Sequence, residues 1–201
     1  MNILLVNGHE YWESSPGKLN NTLVKEAQKW FSNRDHKVKV TIAEQAYDAE
    51  EEVQKILWAD VILYFSPVYW MSITATLKSY FDHVYAQNKG RLFKDDGCES
   101  GGQYGTGGLL HDKSYMLITT WNAPFEAFSA PNPFLFRRKK VDDVFLNFHA
   151  MQKFIGMQKL DSFSLHNVKR NPNVKQFLVD FRYHLQINIR DNKISELASL
   201  I

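Results

Sequence analysis

Asn2-Ile3-Leu4-Leu5-Val6-Asn7-Gly8-His9, continued by Ser15-Pro16-Gly17-Lys18-Leu19-Asn20-Asn21-Thr22, decides the fold of this 201-residue chain. Ile3 to Val6 is an unbroken aliphatic run, as in a strand buried on both faces of a parallel sheet. It empties into a loop bearing glycine and hydroxyls, after which Leu19, Leu23, Ala27, Trp30 and Phe31 recur at helical spacing. The first turn of a helix presents N–H groups with no intrahelical partner and so favours anions. Ser15, Gly17, Asn20, Asn21 and Thr22 supply donors where this helix begins. The loop matches neither G-x-x-x-x-G-K-S/T nor G-x-G-x-x-G, which argues against ordinary ATP, GTP and dinucleotide sites. By itself a Ser-Pro-Gly loop is equally an N-cap signal. A flavin phosphate is the remaining common ligand.

Working outward, short apolar runs alternate with amphipathic helical patterns, the signature of βαβ units on a parallel sheet. Val38, Val40 and Ile42 alternate with polar neighbours, which predicts an edge strand. A helix is predicted over Ala49 to Trp58 with Val53, Ile56 and Leu57 inward. Val61 to Phe65 reads as a central strand ended by Ser66-Pro67, since proline cannot donate to the ladder. Leu77, Phe81, Val84 and Tyr85 mark a third helix. An insertion over residues 88–108 carries seven glycines and reads as a mobile or ligand-ordered loop rather than an element. Tyr115 to Thr120 is a fourth strand. Val144, Phe148, Met151 and Ile155 define a fourth helix stopped by Gly156, and Leu160 to Leu165 a fifth strand. The last helix opens at Asn171-Pro172, with Asn171 as cap and Val174, Leu178, Phe181, Leu185 and Ile189 as its apolar stripe. With right-handed crossovers, this order predicts an α/β flavodoxin-like three-layer sandwich. Its five-stranded parallel sheet has strand order 2-1-3-4-5, in one domain over residues 1–201.

The net charge of +2 comes from 24 basic and 22 acidic residues spread along the chain, which argues against nucleic acid as a main partner. Arg137-Arg138-Lys139-Lys140 is the one dense basic run. It reads first as a solvated loop or the start of a helix; a phosphorylated cofactor or an acidic lipid surface is the sharper alternative. The single cysteine, Cys98, rules out an internal disulfide framework, and its neighbours Asp95, Asp96 and Glu99 disfavour the thiolate. No run approaches the ~18 to 20 apolar residues of a bilayer span, and no basic-then-apolar leader precedes the first strand. The expectation is a cytoplasmic protein with no stable membrane insertion.

In an open doubly wound sheet, ligands bind beyond the carboxyl ends of the strands where the strand order reverses. Three loops leave that edge: loop 1 (residues 7–22), loop 3 (residues 66–72) and loop 4 (residues 119–128). Loop 1 offers hydroxyls and amides for phosphate, while Tyr69, Trp70, Trp121 and Phe125 offer aromatic surface for a flat ring. Each loop alone has an ordinary structural explanation; their joint placement on one fold points to a site. His9 lies in loop 1 within reach of a pyrophosphate. His36, His83, His111, His149, His166 and His184 are scattered without an evident paired carboxylate, which argues against a metal site.

Several motifs resemble one family over nearly the whole length. They are Asn7-Gly8, Ser15-x-Gly17-x-Leu19-Asn20-x-Thr22, Leu57-Trp58-Ala59-Asp60-Val61, Pro67-x-x-Trp70-Met71, Leu77-Lys78-x-Tyr80-x-Asp82-x-Val84, Tyr104-Gly105-x-Gly107-Gly108 and Thr120-Trp121-Asn122-Ala123-Pro124-x-Glu126-Ala127-Phe128. The chain resembles the bacterial NAD(P)H:quinone oxidoreductases of the modulator-of-drug-activity-B type, among the flavodoxin-like quinone reductases. The resemblance implies a homodimer holding FAD, with NAD(P)H as electron donor, a quinone as substrate, and sites completed by the partner chain. Carried onto this sequence, the cofactor contacts are Ser15, Pro16, Gly17, Lys18, Leu19, Asn20, Asn21, Thr22, Val68, Tyr69, Trp70, Met71, Tyr104, Thr120, Trp121, Asn122 and Ala123. Trp70 and Phe125 contact substrate. Val68, Tyr69 and Ser72 depart from the family's usual residues after the loop-3 proline.

The family implies two-electron, ping-pong hydride transfer in which the flavin supplies the chemistry and the protein positions it. Donors for charge developing on the ring are the backbone N–H groups of Trp121 to Ala123 and the Asn122 amide. The Tyr and His pair of the animal quinone reductases has no counterpart in residues 121–136, which contain neither. Tyr104 is the substitute donor, so Tyr104 and Asn122 are the candidate catalytic residues. The alternatives are an FMN-dependent azo- or nitro-reductase, a regulatory flavoprotein subunit of a membrane transporter, and an electron-carrier flavodoxin. The last is disfavoured by the net charge of +2, since such carriers are usually strongly acidic.

Overall fold

A computed structural model describes residues 1–87, 90–132, 134–170 and 172–189. Its elements run β1 (Asn2–Asn7), α1 (Lys18–Ser32), β2 (Lys37–Ile42), α2 (Ala49–Trp58), β3 (Val61–Pro67), α3 (Ala75–Ala86) and a 3-10 turn at Cys98–Ser100. They continue with β4 (Ser114–Thr120), α4 (Glu126–Ser129), α5 (Val141–Val144), α6 (Leu146–Phe154), β5 (Gln158–Lys159), β6 (Phe163–Leu165) and α7 (Val174–Asn188). All pairings in the sheet are parallel, in the order β2-β1-β3-β4-β5 with β6 also on β4. The fold is therefore flavodoxin-like, with β2 at the predicted edge.

Alternation along the central strands builds both helix layers from one sheet. Leu4, Val6, Ile62, Tyr64, Tyr115 and Leu117 face Val53, Ile56, Leu77, Phe81 and Phe148 of α2, α3 and α6. Ile3, Leu5, Leu63, Phe65, Met116 and Ile118 face Leu23, Ala27, Phe31, Phe181 and Leu185 of α1 and α7. Because both faces are covered, β3 is buried from Val61 to Pro67 and reads as apolar without alternation. No helix of the described residues is long and apolar enough to cross a membrane.

Several sequence expectations are corrected. The strand before Pro67 is not cut short: Ser66 and Pro67 still pair with Thr119 and Thr120, and the Val68 N–H donates to Thr120 O at 3.0 Å. On β2, Thr41 is buried and Ile42 exposed, because the Thr41 hydroxyl donates to the Glu52 carboxylate at 2.8 Å. The fourth helix splits into α5 and α6 at Phe145, whose ring is buried edge-on against Trp121 at 5.6 Å. The predicted fifth strand shortens to β6 (Phe163–Leu165), with β5 (Gln158–Lys159) ahead of its expected start; the two are separated where the Asp161 N–H and C=O bond to Asn188 and His184 of α7. Asn171 lies outside the described residues, and α7 is capped by Asn173, which accepts from the Gln176 N–H.

The glycine-rich insertion is laced rather than loose. Lys94 N–H donates to Gly107 O at 2.8 Å and Leu109 N–H to Leu92 O at 2.9 Å, around a fully buried Leu92. A Cβ at Gly107 would lie 2.0 Å from Lys94 O, and one at Gly108 would lie 2.3 Å from Gly156 N. Its glycines thus include two that serve close backbone approach. Asp96 accepts from the N–H groups of Cys98 and Gly105, and its carboxylate pushes the exposed Cys98 thiol up, away from thiolate chemistry.

Candidate functional site

Loop 1 is built around Asn7 at the end of β1. Its Nδ2 donates to Asn21 Oδ1 at 2.7 Å, and its Oδ1 accepts from Asn20 Nδ2 at 2.5 Å and from the His9 N–H at 3.2 Å. The Thr22 hydroxyl donates back to Lys18 O at 2.8 Å. The Asn20 and Asn21 side chains, expected as ligand donors, thus tie α1 to Asn7 of β1, and the Thr22 hydroxyl is engaged within α1 itself. What remains for an anion is the helix start itself. Gly17 stands at the N-cap with φ 73°, and no side chain caps α1. The left-handed glycine turns the chain so that Lys18 and Leu19 begin the helix with their N–H groups outward.

His9 closes the back of this cradle. It is buried, its Nε2 donates to Ser15 O at 3.0 Å, and its Nδ1 lies 3.9 Å from Glu44. A Cβ on Gly17 would sit 2.4 Å from the His9 ring, so glycine is required for space as well as for φ. The His9 ring thus fills the space beside Gly17, and the N–H groups at the start of α1 are what this loop offers an anion.

Loop 3 is tied to loop 1 at two points. The Thr74 hydroxyl donates to Gly8 O at 2.5 Å while capping α3 through the Leu77 N–H. The Tyr69 hydroxyl bonds the Glu10 carbonyl at 2.9 Å and the Ser15 hydroxyl at 3.0 Å, and burial raises its pKa. Tyr69 and Ser72 exchange backbone hydrogen bonds around Trp70 and Met71, both left-handed at φ 49° and 62°. That is a hairpin turn of a type that prefers Asn-Gly, here occupied by two large side chains. Non-glycine residues held in this region cluster at binding sites. Trp70 is 94% exposed, presenting its full ring to solvent at the sheet's carboxyl edge.

Loop 4 corrects the reading of Trp121. Rather than offering a flat surface it is buried, edge-on to Phe128 at 5.2 Å and Phe136 at 5.9 Å, and stacked on His166 at 6.2 Å. Its backbone N–H, expected to stabilise developing charge, already donates to Leu165 O at 2.7 Å. The exposed members of the loop are Asn122, Pro124, Phe125 and Glu126, and Thr120 is buried in the ladder. His166, just past β6, donates from Nδ1 to Ala123 O at 3.3 Å, and burial lowers its pKa. A histidine therefore does reach loop 4, from a distant segment. Its place at a strand's carboxyl end was the available signal.

Tyr104 is set apart from these loops. It is 78% exposed and rests 5.7 Å from the Phe154 ring, in a groove of about 860 Å³ between α3 and α6. His149 also differs from expectation, since it has a carboxylate partner: Nε2 lies 3.2 Å from Asp142 and Nδ1 2.9 Å from the Tyr115 hydroxyl. Both bonds lie within the α5, α6 and β4 packing, a structural role.

Comparison with known proteins agrees with the fold. A family described as having a flavodoxin-like fold matches residues 1–185. The chain is 40% identical over 189 residues to the NADPH:quinone oxidoreductase MdaB of Haemophilus influenzae, covering 92% of this chain and 98% of that protein. The solved structure of a candidate quinone reductase from Klebsiella pneumoniae superposes with TM-score 0.72 at 20% identity, covering 92% of this chain and 83% of the other. An FMN-dependent NADH-azoreductase from Bacillus anthracis, in complex with FMN, superposes with TM-score 0.67 at 12% identity over 93% and 99% of the two chains. The chain therefore belongs to the flavodoxin-like fold family and, within it, to the same family as the Haemophilus influenzae quinone oxidoreductase.

Proposed function

We propose that the protein is an FAD-dependent NAD(P)H:quinone oxidoreductase acting as a cytoplasmic homodimer. The observation that carries the reading is the joining of loops 1 and 3. Tyr69 and Thr74 bind the uncapped start of α1 to the turn that displays Trp70, so an anion cradle and an aromatic platform form one rigid edge. The residues present fit a flavin mononucleotide moiety, and the length of loop 1 favours a pyrophosphate over a single phosphate. The H. influenzae relative, named for NADPH and quinone, supports the reaction class.

A bound flavin supplies the redox chemistry, accepting hydride from NAD(P)H and delivering two electrons to a quinone. The protein's part is placement. The N–H groups of Lys18 and Leu19 hold phosphate, Trp70 presents a stacking face, and the Asn122 amide donates toward developing charge. His166, by bonding Ala123 O, fixes the backbone beside Asn122. Phe125 offers an apolar contact to the quinone ring. Tyr104, remote from its own loops, serves the partner's site in the dimer.

The FMN-dependent azoreductase resemblance favours the second reading, an FMN enzyme reducing azo or nitro groups. Flavin released by heating the purified protein and separated by chromatography distinguishes them: FAD is expected, and FMN alone would overturn the assignment. Quinone turnover by the isolated protein is also expected; negligible turnover would favour the regulatory subunit instead.

A further inference from the structure

The basic run is displayed by an anchored tongue. Phe136 is buried, stacked on Phe128 at 4.1 Å with an interplanar angle of 4° and edge-on to Trp121. From that anchor the chain turns sharply: Arg137 and Arg138 are both left-handed at φ 46° and 64°, and Lys139 N–H closes back to Phe136 O at 2.7 Å. All four side chains from Arg137 to Lys140 are exposed. On the other side of the anchor, Phe134 is 96% exposed and Leu135 54%. Two bare apolar side chains thus stand beside four contiguous cations.

The contacts of these cations among the described residues leave their charges unpaired. Arg138 Nε donates to the uncharged Pro131 O, and Asp143 accepts from the Lys140 backbone N–H. Asp142 is engaged by His149 and Lys159. Among the described residues none of the four cations pairs with a carboxylate.

We propose that residues 134–140 dock the protein reversibly on an anionic lipid bilayer. Such a surface is acidic outside and apolar beneath, and it accepts guanidinium and ammonium groups together with a shallowly inserted Phe and Leu. A second copy of the chain packed with this patch on the two-fold axis would bring like-charged runs together. Lys140 and Phe125 line one cavity of about 260 Å³, so docking turns loop 4 toward the membrane. That orientation serves apolar quinones if the proposed activity holds; the docking itself does not depend on it.

The test is cosedimentation of the full-length, flavin-loaded protein with vesicles of phosphatidylcholine alone or with roughly a third phosphatidylglycerol. Binding is expected only to the acidic vesicles and should fall with added salt. Neutralising R137Q and K139Q, which leaves the Arg138 bond to Pro131 intact, should weaken it about fivefold per cation. Phe134→Ser with Leu135→Ser should weaken it while keeping the salt dependence. Flavin retention and circular dichroism of each variant check folding. Absence of binding at low salt, or equal binding by wild type and both variants, overturns the proposal. So does a change of oligomeric state in the variants without vesicle binding by the wild type, which would make the patch a protein contact.

Discussion

The Tyr69 hydroxyl lies 3.0 Å from Ser15 Oγ, joining the turn that carries Trp70 to the loop that opens α1. The same hydroxyl bonds the Glu10 carbonyl, so loop 1 is held at two points by one side chain from a different βα unit. Tyr69→Phe keeps the ring and removes both bonds. It should cost about 1 kcal/mol of stability, with a parallel loss of flavin affinity. Denaturant unfolding of the flavin-free protein and a flavin titration measure the two. Unchanged affinity would mean that loop 1 is shaped without Tyr69.

Gly17→Ala places a methyl against the His9 ring and an L-residue at φ 73°. The expected loss is about 2 kcal/mol in stability. Flavin should be lost on purification, and an alanine variant that keeps full flavin content would show the cradle to be elsewhere.

Trp70→Asn combined with Met71→Gly supplies the residues that this turn type prefers. Stability should rise by about 1 kcal/mol as left-handed strain is relieved, while flavin affinity or quinone turnover falls with the loss of the exposed ring. Thermal unfolding and steady-state kinetics read the two effects separately. A gain in stability without functional loss would remove Trp70 from the site.

Asn122→Ala should leave stability within about 0.5 kcal/mol, since the side chain is exposed. Flavin reduction by NAD(P)H, followed by stopped-flow absorbance, should slow about tenfold or more if the amide supports developing charge. An unchanged rate excludes it.

The Asp142 carboxyl feels burial, which raises its pKa, but hydrogen bonds from His149 and Lys159 outweigh this and hold it well below the ordinary value of 3.8. A lowered folded-state pKa means stability that is present above the ordinary carboxylate range and lost as pH falls below it. Denaturation midpoints should therefore decline on the acid side of pH 3.8, and Asp142→Asn should flatten that limb while lowering stability near neutrality. An unaltered acid limb in the variant would assign the decline to other groups.

Sheet order and helix positions were legible because they follow from local periodicity. The boundaries of α2 match the Ala49 to Trp58 pattern residue for residue, and β1 to β4 and β6 fall on predicted strands, whereas β5 (Gln158–Lys159) precedes the predicted Leu160 to Leu165. The misses have non-local causes. β5 and β6 separate because Asn188 and His184 of α7 take the backbone bonds of Asp161. α5 and α6 separate where Phe145 turns in to meet Trp121. Glycine content suggested a loose insertion, whereas Gly107 and Gly108 let two backbones meet.

For the site, sequence alone determined which loops gather at the carboxyl edge, because strand order and crossover handedness leave no other arrangement. It could not rank the aromatic residues. Trp70 and Trp121 each follow a central strand, yet one is bare and the other enclosed, because Phe128, Phe136 and Phe145 close over Trp121 and, among the described residues, nothing comparable covers Trp70. Tertiary packing likewise brought His166 to Ala123, turned Asn20 and Asn21 inward onto Asn7, and set Tyr104 in a separate groove. Burial and hydrogen-bond partners depend on residues far apart in the chain, and periodicity carries no record of them.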